Sequence, residues 1–402
     1  MSGIASAQLL GHPNWQLRGF GTLGLARSES NHLVFQSDLK QTASIGDSWT
    51  ARSDSVLGGQ LRGELTEAAD LVVQVVVKDR RDYNLDNLLR FAYLDLAFTP
   101  NMVLRLGRNP HDIRFLSDTR DVGFSYLWVR PISEYYDEYF VDYYDGVDFS
   151  YRFKTGNGVL TTRLLGGEMD VDLSINVEPE PIAYESFVGV KLGYQQGDFE
   201  LNLGYQRAKV GNTSELLTRF ADAWATVPES VVTSAPRLAK NFDIEGAILE
   251  YYVGGISWQP GNWQFQGEVG KLYMPEAMGI RATAGYVSAA YKIGSVTPYL
   301  VASRVYNHID PLGFDEADIS AMPAPVQGLA ETTRDIHRSF GSRQKSVALG
   351  LRWDFHSKMA LKVQWNMISV DTAGHQIWMP RSDQAANGDD FNMYAVTLDF
   401  FL

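Results

Sequence analysis

Residues Lys345–Met367 read KSVALGLRWDFHSKMALKVQWNM, two alternating runs around a short polar break. In the first, Val347, Leu349, Leu351, Trp353 and Phe355 alternate with Ala348, Gly350, Arg352 and Asp354. In the second, Leu361, Val363, Trp365 and Met367 alternate with Lys362, Gln364 and Asn366. Successive side chains of a strand point to opposite faces, so each run predicts a strand with one apolar and one polar face. The His-Ser-Lys break leaves room only for a tight turn between them.

The same period recurs along the chain. Phe199, Leu201, Leu203 and Tyr205 oppose Glu200, Asn202, Gly204 and Gln206, and Trp263, Phe265 and Val269 oppose Gln264, Gln266 and Glu268. No convincing long amphipathic helix stands out. Short connections near residues 66, 99, 154, 196, 259, 294 and 356 alternate with long ones at 28–53, 79–88, 109–145, 167–183, 211–242, 274–280, 307–344 and 371–390. That makes about sixteen strands of roughly ten residues, with the short turns on one side, the signature of a transmembrane antiparallel up-and-down β-barrel. A soluble sandwich or propeller shares the alternation. The barrel is favoured by aromatics at strand ends (Trp15, Phe98, Phe153, Trp258, Trp263, Trp353, Phe355) and by polar faces that mix Gly, Gln and both charge signs.

Composition narrows the function. The chain has 402 residues, a formal net charge of -13 and no cysteine. Without a basic stripe to replace phosphate counterions, nucleic acid is not a partner, and disulfides and thiolate metal sites are excluded. No run of about 18 apolar residues exists to form a transmembrane helix. Ala5-Ser6-Ala7 resembles the small-residue end of an export signal, so residues 1–7 are expected to be a signal remnant or an appended N-terminus, and 8–402 a single barrel.

Three stretches carry a family resemblance. WQLRGFGTLGLA (Trp15–Ala26), NMVLRLGRNP (Asn101–Pro110) and the terminal NMYAVTLDFFL (Asn392–Leu402) resemble the first strand, the strand before the constriction loop, and the assembly signal of the sixteen-stranded general porins of Gram-negative bacteria. The family's signal normally ends in Phe, whereas this chain ends in Leu402. The resemblance implies a water-filled channel of the bacterial outer membrane, passive diffusion of small hydrophilic solutes and ions, a homotrimer, and surrounding lipid and lipopolysaccharide. It also implies that connection 109–145 folds into the barrel.

That connection ends in PISEYYDEYFVDYYDGVDF (Pro131–Phe149), rich in acids and tyrosines. A loop of this length inside a compact fold is usually functional. Tyrosine packs a ring and keeps a polar tip, so the expectation is an acidic constriction formed by Glu134, Asp137, Glu138, Asp142 and Asp145. Inward-parity cations Arg18, Arg62, Lys78, Arg105, Arg152, Arg352 and Lys362 are candidates for a facing basic wall. The acids argue for cation preference and the arginines for anion preference. An extracellular lid is the alternative reading of the loop.

Other signals are weaker. GFGTLG (Gly19–Gly24) lacks the following helix that a dinucleotide site needs. The seven histidines show no zinc-ligand spacing. Asp315–Asp318 and Asn387–Asp390 offer carboxylates of the kind that hold Ca²⁺ in loops, although solvated acid explains them as well. No other cofactor is indicated. A substrate-selective channel, a plugged structural or secretion-partner barrel and an outer-membrane enzyme are the alternatives in function, the last without any G-x-S-x-G motif.

Overall fold

The computed structural model describes residues 7–8, 14–38, 40–137, 141–175, 178–212, 215–277, 279–372, 377–381 and 387–402. Sixteen long strands run through it: β1 (Trp15–Ser28), β2 (Val56–Thr66), β3 (Ala69–Lys78), β4 (Leu89–Thr99), β5 (Met102–Pro110), β6 (Tyr143–Thr155), β7 (Gly158–Ile175) and β8 (Glu178–Gln196). They continue with β9 (Phe199–Val210), β10 (Ile248–Trp258), β11 (Trp263–Met274), β12 (Ile280–Tyr291), β13 (Val296–His308), β14 (Arg343–His356), β15 (Met359–Thr372) and β16 (Asn387–Phe401). Each pairs antiparallel with its sequence neighbour, and β16 returns to β1 through Met393↔Ser28 to Phe401↔Phe20. Closure leaves no sheet edge. That is the condition a strand protein must meet in lipid, where an unpaired backbone group finds no water.

Register follows the alternation. Leu351 faces Val363 and Arg352 faces Lys362 across β14 and β15. Leu203, Trp263, Leu349, Leu351 and Val363 are exposed on the outer wall, whereas Gln364 and Lys362 are buried inside. Trp258, Trp263, Trp353 and Phe355 cluster outward at the short-turn end, with Trp263 stacked on Phe265 at 5.5 Å, as an interfacial girdle requires. The barrel is therefore of the outer-membrane type. Gly156 and Gly197 open two-residue turns with φ of 60° and 55°, the backbone hand that matches strand twist. Leu349 sits mid-strand on the lipid face, so Leu349→Arg is expected to cost about 2–4 kcal/mol, read from urea unfolding in detergent micelles. A membrane-impermeant thiol reagent should label Arg62→Cys and spare Leu349→Cys.

Two expectations are corrected. The predicted connection 167–183 lies mostly within strands: β7 and β8 run on as an extended hairpin past a register shift at Tyr184–Phe187. The long connections also contain helices, α1 (Glu215–Ala225), α2 (Ala235–Phe242), α3 (Glu316–Ala321) and α4 (Ala324–Phe340). Leu217, Phe220, Ala221 and Trp224 fall three and four apart, a helical stripe too short to stand out among polar loop residues. These helices pack on one another and on Val171, Val210, Leu249 and Met274 at the rim of β7–β11. Trp224 Nε1 donates to Thr333 Oγ1 at 2.9 Å and joins the two connections. Asp315 and Asp318 cap α3 reciprocally, each accepting the other's backbone N–H at 2.9 Å.

Candidate pore constriction

The connection from β5 to β6, described at 111–137 and 141–142, turns inward and meets the wall at successive points. An irregular segment buried there must satisfy its backbone groups on side chains. Asn202 of β9 donates to the Ile113 carbonyl at 3.0 Å. Lys191 of β8 pairs with Asp112 at 2.7 Å, and Arg163 of β7 reaches the same carboxylate. Glu268 of β11 accepts the Phe115 N–H at 2.9 Å, the Tyr286 hydroxyl at 2.7 Å and the Tyr136 hydroxyl.

The middle of the loop is held at the seam where β16 meets β1. Lys362 of β15, 0% exposed, donates Nζ to the Gly123 and Trp128 carbonyls, both at 2.7 Å, and pairs with Asp399 of β16 at 2.9 Å. Arg352 of β14 donates to the Phe124 and Tyr126 carbonyls at 2.9 and 2.8 Å. Asp399 also accepts the Thr22 hydroxyl at 2.6 Å. Only glycine fits at 123, because a Cβ there would lie 2.2 Å from Asp399 Oδ1.

The return leg is anchored just as closely. Trp128 Nε1 donates to Ser288 at 3.1 Å, and Arg130 pairs with Asp54 at 2.5 Å. Glu134 accepts from Ser303 and Gln344 at 2.9 and 2.8 Å, and Asp137 pairs with Arg120 at 2.5 Å. Asp121 lies between Lys78 at 2.9 Å and Arg90 at 2.7 Å, and Arg90 also holds Asp142. Asp121 and Asp142 stay charged in the interior because they are paired in this way.

The loop's own acids titrate differently from one another. Burial pushes the Asp137 carboxyl up to about 7 against the pull of Arg120 and Arg130. Burial alone would also raise Asp121, but Arg90 and Lys78 hold it down to about 2. The packed loop therefore keeps a proton on Asp137 that a released loop gives up near 3.8. Its anchoring is full below that value and is lost as pH rises through about 7. Current noise from the loop should increase between about pH 5 and about pH 8, and Asp137→Asn should remove that dependence.

Part of the inner wall stays clear of the loop. Arg18, Gln60, Tyr93, Asp95 and Arg105 are partly exposed on the inner faces of β1–β5, and Arg62 is exposed. The loop turns the exposed Asp118 toward them, within Coulombic range of Tyr93, Arg105 and Lys191.

No protein-family model and no curated protein matches the chain by sequence. Solved structures match it in shape. OmpF of Salmonella typhi, determined as a complex with daunomycin, superposes with a TM-score of 0.56 at 13% identity, covering 97% of this chain and 98% of that one. The outer membrane channel DcaP of Acinetobacter baumannii gives 0.54 at 10% identity over 97% and 98%. An anion-selective porin from Comamonas acidovorans gives 0.52 at 12% identity over 96% and 100%. The chain has the sixteen-stranded porin fold.

Within this porin fold the expected site residues divide. Glu134, Asp137 and Asp142 are on the in-folded loop but turn away from open water: Glu134 accepts from Ser303 and Gln344 of the wall, Asp137 pairs with Arg120 of the loop itself, and Asp142 pairs with Arg90 of β4. Asp145 lies in β6 on the outer face, paired with Arg108 at 3.1 Å. Glu138 lies outside the described residues. Residues 109–110 and 143–145 belong to strands, so the described part of the inserted loop is 111–137 with 141–142. Lys78, Arg352 and Lys362 are inward, but they hold the loop in place and do not face it across a gap. Arg62 pairs with Asp70 at 2.5 Å, Arg105 with Asp95 at 3.3 Å, and Arg18 donates to Gln16 at 3.1 Å. Arg152 is exposed near a short turn. Sequence reasoning missed Arg163, Arg90, Asp112, Asp118 and Asp121. The run Thr161, Arg163, Leu165 had the inward parity that marks the first of these.

Proposed function

We propose that the chain is an outer-membrane porin through which small hydrophilic solutes and ions diffuse passively. The observation that carries this reading is the loop within the barrel, anchored round much of the wall, with the exposed Asp118 set before Tyr93, Asp95 and Arg105. In this reading the passage is bounded by Asp118 on the loop and by Tyr93, Asp95 and Arg105 on the wall. Both charge signs lie across one gap, so polar solutes cross more readily than apolar ones and no residue turns over. A homotrimer is part of the proposal, checked by native mass spectrometry in mild detergent.

Reconstitution in a planar bilayer tests the channel. Discrete conductance steps are expected, whereas a silent, correctly folded barrel would favour the plugged structural reading. Asp118→Asn should shift the reversal potential toward anion preference and Arg105→Gln toward cation preference. Screening acts over about 10 Å at about 0.1 M salt and about 3 Å at about 1 M, so both shifts should shrink as salt rises.

A further inference from the structure

The two halves of the lumen differ. Toward the short turns, Arg62, Glu64, Arg152, Lys154, Gln195 and Glu200 have inward parity and are exposed, so that half is an open vestibule. Toward the long connections, inward residues are buried all round the wall, as with Ala26 of β1, Val76 of β3, Tyr144 of β6, Ala208 of β9, Val305 of β13 and Ala395 of β16. The inserted loop supplies one layer of this packing, and a second layer lies on it. The connection from β1 to β2 folds inward, with Leu33, Phe35 and Ile45 buried in one cluster with Tyr126, Trp128 and Val129 of the loop. Across the lumen, α1, α2 and α4 pack with Ile113 and Val141 near the loop's two ends.

Between these covers, above Tyr93 on the same wall, charge closes the space. Asp121 of the loop lies between Lys78 and Arg90, Arg90 also holds Asp142, and Asp38 of the first connection meets Arg80 at 2.6 Å. None of these side chains is more than 12% exposed. Asp54, at the end of the same connection, pairs with Arg130 of the loop at 2.5 Å. Asp79 ties the connection down from the side. It accepts the Thr42 N–H and hydroxyl at 2.8 Å and the Ala43 N–H at 2.5 Å, and it pairs with Arg52 at 2.6 Å.

The hold of this connection is uneven. Leu33, Phe35 and Ile45 pack through apolar side chains. Asp38 and Asp54 instead border a polar space of about 60 Å³, enclosed with Lys78, Arg120, Arg130 and Asp137 and large enough for a few waters. A buried ion pair roughly breaks even against hydrated charges, so this edge is where the packing parts at least cost.

We propose that the first connection is an autoinhibitory strap. The channel rests shut, and it conducts when the segment carrying Asp38, Thr42 and Asp54 lifts from the inserted loop and opens the way from the vestibule past Asp118. The proposal rests on reading the barrel as a channel.

The test is the ratio of open to shut time of the full-length barrel in a planar bilayer, with heat-modifiable gel mobility confirming the fold of each variant. Wild type should be open less than about 10% of the time, the usual weight of a minor state. Asp79→Ala frees the strap without touching the inserted loop and should raise the ratio about tenfold, the weight of one hydrogen bond to a charged group. Asp38→Asn with Asp54→Asn should raise it similarly from the strap side. Arg207→Gln, exposed on the outer face of β9, should leave it unchanged. The Arg81 N–H donates to the Lys40 carbonyl at 2.9 Å, so the two backbones run side by side. The chain has no cysteine of its own. Bridging Lys40→Cys to Arg81→Cys with a bifunctional methanethiosulfonate should therefore abolish openings, and a reductant should restore them. A wild type that stays open throughout, or a bridged barrel that conducts as before, would overturn the strap and leave the channel reading standing. Openings gained when residues 115–137 are replaced, with none gained by the strap variants, would also overturn it and make the inserted loop the whole plug. Silence from every folded variant, the 115–137 replacement included, would remove the channel reading and the strap with it.

Discussion

Replacing residues 115–137 with a short Gly-Ser linker is expected to raise single-channel conductance several-fold while the barrel stays folded. The wall does not need the loop to close, because its strands are joined by their own ladders from β1 round to β16. Lys362 would keep Asp399, and Arg352 would keep Asp354 at 2.8 Å, so the strongest charges stay paired once the loop is gone. Glu268 would lose the Phe115 and Tyr136 donors but keep Tyr286 and gain water. Conductance in a planar bilayer reads the pore, and heat-modifiable gel mobility reads the fold. Unchanged conductance with native mobility would mean that the loop does not limit the passage.

Among single substitutions, Lys362→Met should be the most damaging. It leaves Asp399 ionised and buried with Thr22 as its remaining close donor, and it strips the donor from the Gly123 and Trp128 carbonyls. Breaking a buried pair by removing one partner typically costs about 3–5 kcal/mol. The cost should appear as a lower urea midpoint in micelles, together with larger and noisier conductance from the released loop. Adding Asp399→Asn should recover part of the midpoint, because the uncompensated charge is then gone. Arg62→Met breaks an exposed pair with Asp70 and should cost less than about 1 kcal/mol. If the two arginine and lysine variants proved equally mild, the seam would not be the anchor described here.

Much of this architecture was readable before any coordinates. Alternation is a property of neighbouring residues, so Val347 through Phe355 set their own inward and outward faces, and Gly-Asn or Gly-Asp turns set the hairpins. The inward course of the loop was implied by the family resemblance, and its length and tyrosines were compatible with it. Its contacts were not legible. Whether Glu134 faces water or Ser303 depends on the path of the loop across the lumen, and no periodicity encodes that path. Attention to the tyrosine-rich half also hid Asp118 and Asp121 in the plainer half. The helices at 215–225 and 324–340 escaped because each apolar stripe is short and rests on another loop, whose position the sequence does not state.

The grip of Lys362 and Arg352 on the loop has a consequence for how such a channel changes. Both cations bind main-chain oxygens, those of Gly123, Phe124, Tyr126 and Trp128. Every residue type carries that oxygen, so the clasp recognises the course of the chain and is indifferent to most of the side chains strung along it. Exposed positions such as Asp118 and Ser125 can then be rewritten, by drift or by design, without unseating the loop. On the proposed reading the scaffold is a fixed frame with an exchangeable filter, onto which new permeation properties would be grafted one side chain at a time.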